Sequence, residues 1–473
     1  MRRTRTRGTG KGFGRIAAWV SAALLPLLLP AMPAIAQQKT GPGITSDEAL
    51  TWHGITLYGI IDIGLQYDTH GAPFSDYRPA ASANIVQRNS RGSVFGATPS
   101  NMGQSRVGLQ GLEPLGGEWS GVFRVETFFN PQSGDIADSL KSLTVNNGKT
   151  AATSGTNLDG SSAGQALQTA YVGVRSEHFG TLTFGRQLTL LTEGTVKYDP
   201  NYDASAFGLL GASGAYQGGG STEDKRLDSM LKYVVKIADL GHAGVLYKFN
   251  GSTGSASTAV QADLGAEVGA AWVDGYYSKI RDAISASALS PAQAAKLPGL
   301  GYSISNSVAA TVADTTTFAL MGSYAIDPVK LFAGYEHIQY ANPSTPLAAG
   351  FTDIGGYTLA FVTNDAYDED KVLQVFWLGA RYTVIPHLDV TGAYYGYHQN
   401  AYGTGSQAGC STAAFSTCSG RFEAVSLDAD YTFNQHLDAY LGAMYSGVHD
   451  GVASGYSFNT TNINPTLGVR LKF

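Results

Sequence analysis

Beyond residue 54 the chain alternates between apolar and polar positions over short stretches. In "GITLYGIIDIGLQYD", Leu57, Gly59, Ile61, Ile63, Leu65 and Tyr67 share one face, while Tyr58, Ile60, Asp62, Gly64, Gln66 and Asp68 share the other. Successive side chains of a strand point to opposite sides of the sheet, so the pattern predicts a strand between an apolar and a polar medium. The last stretch repeats it, with Leu467, Val469, Leu471 and Phe473 set against Thr466, Gly468, Arg470 and Lys472. A strand patterned to its final residue is expected to have a partner on each side, and the first strand is one candidate.

Six pairs of such runs lie between these two, each folding about a short turn. The turns are expected at Pro114 to Gly117, Glu177 to Gly180, Asp239 to Gly241, Asp327-Pro328, Pro386-His387 and Asn434-Gln435. Long Gly/Ser/Thr/Asn-rich segments separate the hairpins, at 131–164, 251–261, 341–370 and 398–420. A less clear pair flanks Glu267, where "AAWVDGYYSKI" reads as a strand and its predecessor starts somewhere between Ser255 and Leu264. Together these runs predict an all-β fold, an antiparallel transmembrane barrel of about sixteen strands. Its short turns would face the periplasm and its long loops the exterior, and Phe473 would join an aromatic girdle at the membrane interface. A soluble sandwich with a buried aromatic end is the alternative.

The first segment changes the domain picture. Arg2, Arg3, Arg5, Arg7, Lys11 and Arg15 precede an apolar run from Ile16 to Leu29, and Ala34-Ile35-Ala36 offers a small-residue cleavage site. This is the layout of an export signal, so residues 1–36 are expected to be removed and residues 37–473 to form the barrel. Three prolines in and after the apolar run argue against a membrane anchor. The removed segment carries six basic residues and no acid, which takes the formal net charge from −6 to −12. That balance gives no support to nucleic-acid binding. Charged residues make up 14% of the chain, below the usual ~25% of a soluble domain. Later apolar runs all fall short of the ~20 residues of a membrane helix.

Cys410 and Cys418 are the only cysteines. In an exported chain they are expected to form a local disulfide, and two thiols alone make a poor zinc site. No metal or cofactor is expected. The pattern Gly160-Ser161-Ser162-Ala163-Gly164 matches G-x-S-x-G but lies in a Ser/Gly-rich stretch without a strand-to-helix elbow, and no H-E-x-x-H occurs. The chain therefore reads as a non-enzyme, with an outer-membrane hydrolase or an adhesin-like barrel as the rivals.

The stretches "TLYGIIDIGLQY", "SRVGLQGLEPLGGEWSGVFRVET", "AYVGVRSEHFGTLTFGRQ", "VKLFAGYEHIQYANP" and "TLGVRLKF" resemble the general porins of Gram-negative bacteria, in particular the neisserial and burkholderial type. The resemblance implies an outer-membrane channel for passive diffusion of ions and small hydrophilic solutes. It also implies a homotrimer embedded in outer-membrane lipid and lipopolysaccharide, and a third extracellular loop folded inward to narrow the pore. One departure is the segment "RDAISASALSPAQAAKL", which has a local helical pattern.

The third long loop would run from Leu188 to Lys225, with Glu193, Asp199 and Asp203 facing the pore and Phe207 to Leu210 packed on the wall. A solvated surface loop is the alternative. Hairpin register supplies the other candidates. A first turn centred on Leu115 sets Arg106 opposite Arg124, and a third turn centred on Leu240 sets Lys232 opposite Lys248. Directly opposed like charges are unfavourable, so a negative partner is expected. The loop acids, with Asp62 and Glu126 on the wall, are the candidates. Strict alternation places Arg186 on the lipid face, so a bulge near Gly185 is expected to turn it inward.

Overall fold

The computed structural model describes residues 50–71, 86, 92–132, 134, 167–212, 226–238, 240–250, 257–288, 291–300, 308–346, 353–354, 357–358, 361–364, 366–410, 416–454, 456 and 459–473. The export segment and the Gly160–Gly164 motif lie outside these residues. The chain forms a closed antiparallel barrel of sixteen strands. These are β1 Ile55–Asp68, β2 Arg106–Gly116, β3 Trp119–Phe128, β4 Thr169–Ser176, β5 Gly180–Leu188, β6 Arg226–Ile237, β7 Gly241–Lys248 and β8 Thr258–Val268. The second half comprises β9 Ala271–Ala288, β10 Val308–Ile326, β11 Val329–Ala341, β12 Lys371–Ile385, β13 Leu388–Gln399, β14 Gly420–Thr432, β15 Leu437–Asp450 and β16 Thr466–Lys472. Each pairs with its chain neighbours, and β1 pairs with β16 from Ile60↔Lys472 to Gln66↔Thr466. No described helix is long and apolar enough to cross a membrane.

Closure reaches the last residue. Phe473 exchanges backbone hydrogen bonds with Gly59, 2.8 Å one way and 3.1 Å the other. Its ring lies over Gly59, where a Cβ would meet ring carbon at 2.4 Å, so only glycine leaves room for it. Leu264, Leu320, Leu378, Leu427 and Leu441 point outward and are 59 to 64% exposed, a belt that only a lipid phase would cover. The inward face instead buries polar groups such as Asp62, Glu126, Gln261, Ser426 and Asp438. The predecessor of "AAWVDGYYSKI" starts at Thr258, between Ser255 and Leu264, and extends to Val268. Residues Arg281 to Ala288 continue β9 as strand, and the helical pattern holds only for Pro291–Leu300. Within the long segment after β11, Phe361–Thr363 pairs parallel to Ala309–Thr311.

Two hairpin registers differ from the sequence expectation, the first by four residues and the third by two. Arg106 faces Phe128, and Arg124 faces Gln110, so the two arginines are not opposed. Pro114, expected in the turn, continues the strand at the rim. The reversal falls on Gly117 and Glu118, between the paired Gly116 and Trp119, and Gly116 and Gly117 have φ of +110° and +60°, which suit glycine. Lys232 faces Leu246, and Lys248 faces Met230, because Ile237 pairs with Gly241, two positions earlier than a turn centred on Leu240 would have it. Between β5 and β6 the register slips: Gly185 pairs with Met230 but Gln187 pairs with Leu227. The extra residue is on β6, where Ser229 has φ +51°, so the bulge is opposite Arg186 rather than in its own strand.

The aromatic ring over Gly59 is a cross-strand contact worth roughly 0.2–1 kcal/mol. Phe473→Ala is expected to lower the temperature at which the compact band on a detergent gel converts to the unfolded band by a few degrees, while far-UV circular dichroism stays β-type. An unchanged conversion temperature would show that the ring adds nothing to closure.

Candidate functional site

Strand alternation sends Tyr58, Arg106, Arg124 and Glu126 into the lumen on β1, β2 and β3. There the Glu126 carboxylate, only 1% exposed, is the hub of a basic cluster. It accepts from Arg124 Nη2 at 2.7 Å and from Tyr58 Oη at 3.1 Å, and Arg106 Nε lies 3.6 Å away. Arg226 Nη2, from the first residue of β6, is 3.6 Å from its other oxygen. Arg124 Nε also donates to Tyr58 Oη at 2.6 Å. The Arg226 guanidinium lies 4.8 Å from the centre of the Phe128 ring, which shares the inward parity of Arg124 and Glu126. Beside this group Arg186 Nη1 bonds Asp228 Oδ1 at 2.6 Å. Four guanidinium groups thus share two carboxylates, an excess of two positive charges.

The segment after β5 lodges among inward-facing side chains. Its first part is helix α1, Leu190–Tyr198, started by Thr189, whose hydroxyl accepts from the Thr192 amide. Lys232 Nζ reaches Glu193 at 2.6 Å and the Leu188 carbonyl at 3.0 Å, and Lys197 Nζ reaches Asp274 at 2.8 Å. Trp377 Nε1 donates to the Tyr198 carbonyl at 2.8 Å. Asn201 Nδ2 donates to the Phe207 carbonyl, to Tyr395 Oη and to Ser426 Oγ at 2.8, 3.1 and 3.2 Å. Phe207 is fully buried, edge-on to Tyr440, and Leu209 and Leu210 join the cluster of Tyr198, Trp377 and Tyr395. Asn464 Nδ2 then holds the Ala206 carbonyl at 2.9 Å.

The acids divided among different tasks. Glu126 balances the arginines, and Glu193 pairs with Lys232. Asp199 does not face a cation: it accepts from Tyr395 Oη at 2.6 Å and from the amides of Asn201 and Asp203. Burial pushes its carboxyl up to about 6, against these hydrogen bonds, which lower it. Asp62 accepts from Tyr440 Oη at 2.5 Å and from the Met102 and Gly103 amides, so it fixes the β1–β2 connection rather than the arginines. Asp203 is half-buried at the loop tip, and Lys248 is buried with its Nζ 3.2 Å from the Phe249 carbonyl. Cys410 and Cys418 form a disulfide with Cα atoms 5.2 Å apart. Among the described residues no cluster of His, Cys, Asp and Glu could hold a metal ion.

Sequence reading missed Arg226, Tyr58 and Asp228. Arg226 was read as the first residue of the hairpin after the third loop and given no role, and the bulge between it and Lys232 hides its direction from simple alternation. Phe128 shares the parity of Arg124 and Glu126 but was not singled out.

A model of the Gram-negative porin family matches residues 18–451. An outer membrane porin protein of Bordetella pertussis is 28% identical over 198 residues, 41% of this chain and 43% of that protein, so the match spans less than half of the relative. An anion-selective porin from Comamonas acidovorans superposes with a TM-score of 0.57 at 16% identity, covering 89% of this chain and 99% of that one. The outer-membrane expressed OmpT of Vibrio cholerae gives 0.53 at 16% identity, over 90% and 99%. With sixteen strands closed on themselves and a family match across most of its length, the chain belongs to the Gram-negative porins of the outer membrane.

Proposed function

We propose that the chain forms a water-filled channel through which small hydrophilic solutes diffuse passively, with anions favoured over cations. The observation that carries this reading is the excess of two positive charges at Arg106, Arg124, Arg186 and Arg226, gathered on Glu126 and Asp228. Fixed charge in a narrow pore raises the local concentration of the opposite ion and repels its own kind. The Comamonas porin is anion-selective, which supports the same direction. A trimer form is described for the Vibrio protein, and we extend that state to this chain as a homotrimer in lipid and lipopolysaccharide. Residues 1–36 are the export signal removed before assembly. Family membership favours the channel over a barrel hydrolase or an adhesin.

Neutralising Arg106, Arg124 and Arg226 together to Gln takes the cluster from two positive charges in excess to one negative. In planar bilayers with a salt gradient, the reversal potential is expected to move toward the cation limit. The shift should shrink between 0.1 and 1 M salt, as the Debye length falls from about 10 to about 3 Å. A reversal potential equal to that of the native protein would remove the cluster from selectivity.

Docking of the inward segment supplies a separate check. Asn201→Ala deletes three hydrogen bonds, and its channels are expected to be larger and noisier than native ones. The carboxyl of Asp199 is raised when docked, so docking is favoured below about pH 6 and weakened as pH rises through that value. Open-channel noise should therefore be greater at pH 8 than at pH 5, a difference that Asp199→Asn removes. Noise independent of pH in the native channel would contradict this role for Asp199.

A further inference from the structure

The lumen holds a second group of cations well away from the arginine cluster. Lys330 on β11 and Arg381 on β12 are direct register partners, and both point inward. Directly opposed side chains have Cβ atoms roughly 5 Å apart, and like charges there repel. Among the described residues neither makes an ion pair with a carboxylate; Asp428 on β14 senses the charge of Arg381 without contact. Arg381 spends Nη2 on the Pro200 carbonyl at 2.7 Å and Nε on Thr391 Oγ1 at 3.3 Å. Its Nη1 and the ammonium of Lys330 keep their donors.

An aromatic floor accompanies the pair. The Tyr202 ring lies 4.1 Å under the Arg381 guanidinium and stands edge-on to Phe332 at 5.9 Å. The Lys330 ammonium is 4.9 Å from the Phe332 ring centre and 6.0 Å from that of Tyr202. Tyr202 and Asp203 have φ of +50° and +64°, two consecutive non-glycine residues in the left-handed region. Such a conformation persists only where the surroundings impose it, and here it presents the ring to the two cations.

Lys330 and Arg381 lie one and four residues inside the short-turn ends of their strands, whereas Arg106 opens β2 at the opposite end. With strands tilted by about 40°, the two groups are separated by roughly 15 Å along the pore axis. We propose that Lys330 and Arg381 form a second anion station at the periplasmic mouth, taking one carboxylate or phosphate group between Nζ and Nη1. The inference deepens the anion-conducting reading: an anion released by the arginine cluster is caught again before it leaves. A single oxyanion also relieves the repulsion that the register imposes on the pair.

The test uses the full protein in planar bilayers, with inorganic phosphate added to one side at a time during chloride conduction. Among the described residues Lys330 makes only ring contacts, so Lys330→Gln removes the charge without cutting any hydrogen bond described. Phosphate added on the short-turn side is expected to block the native channel, and Lys330→Gln should weaken that block about tenfold, with Lys330→Arg restoring it. Block from the loop side should change little. Equal block in native and Gln channels, or relief of the same size from both sides, overturns the station. The readout is the sidedness of block, so a channel whose reversal potential proves cation-favouring would defeat the selectivity reading without deciding this one.

Discussion

Every backbone donor and acceptor in the wall must find its partner inside the protein, because hydrocarbon offers none. That constraint closes β1 onto β16 and carries pairing to the Phe473 carbonyl and amide. Closure in turn fixes the parity of every strand. Once Leu57 and Leu467 face lipid, Tyr58, Asp62 and Arg470 have no choice but the lumen. The charged residues of a chain with a lipid-facing belt are thereby concentrated on one narrow inner surface.

Concentration creates the electrostatic problem that the lodged segment helps to solve. Lys232 and Lys197 find carboxylates in Glu193 and Asp274, one pair with its acid on the segment and the other with its base there. The arginines around Glu126 are only half balanced, and the remaining charge is what a permeating anion would meet. Buried charges in excess of their partners are costly, so the cluster is partly wet and keeps 12 to 23% of its side-chain surface open. Stability and selectivity pull against each other at this point: two more carboxylates would quiet the wall and discharge the pore.

Strands, turns and closure were legible because period-two alternation depends only on neighbouring residues. Asp327-Pro328 and Pro386-His387 sit where the sequence puts them, between Ile326 and Val329 and between Ile385 and Leu388. Register was less legible because it depends on which residue carries the reversal. Pro114 was expected in the turn but belongs to the strand, and a shift of two positions in the turn centre moved Arg106 from Arg124 to Phe128. The basic character of the lumen survived the slips, since a register shift of two or four residues preserves parity. The roles of the acids did not: Asp62 and Asp199 serve backbone amides and tyrosines, contacts made by segments distant in sequence that no local pattern encodes.

The central claim is that the arginine cluster holds permeant anions. Crystals of the protein grown in sodium bromide, with a parallel set in rubidium chloride, test it by anomalous scattering. Bromide is expected within contact distance of Arg106, Arg186 or Arg226, with no rubidium on the same side of the lumen. Rubidium beside Glu126 and no bromide near any of the arginines would contradict the account.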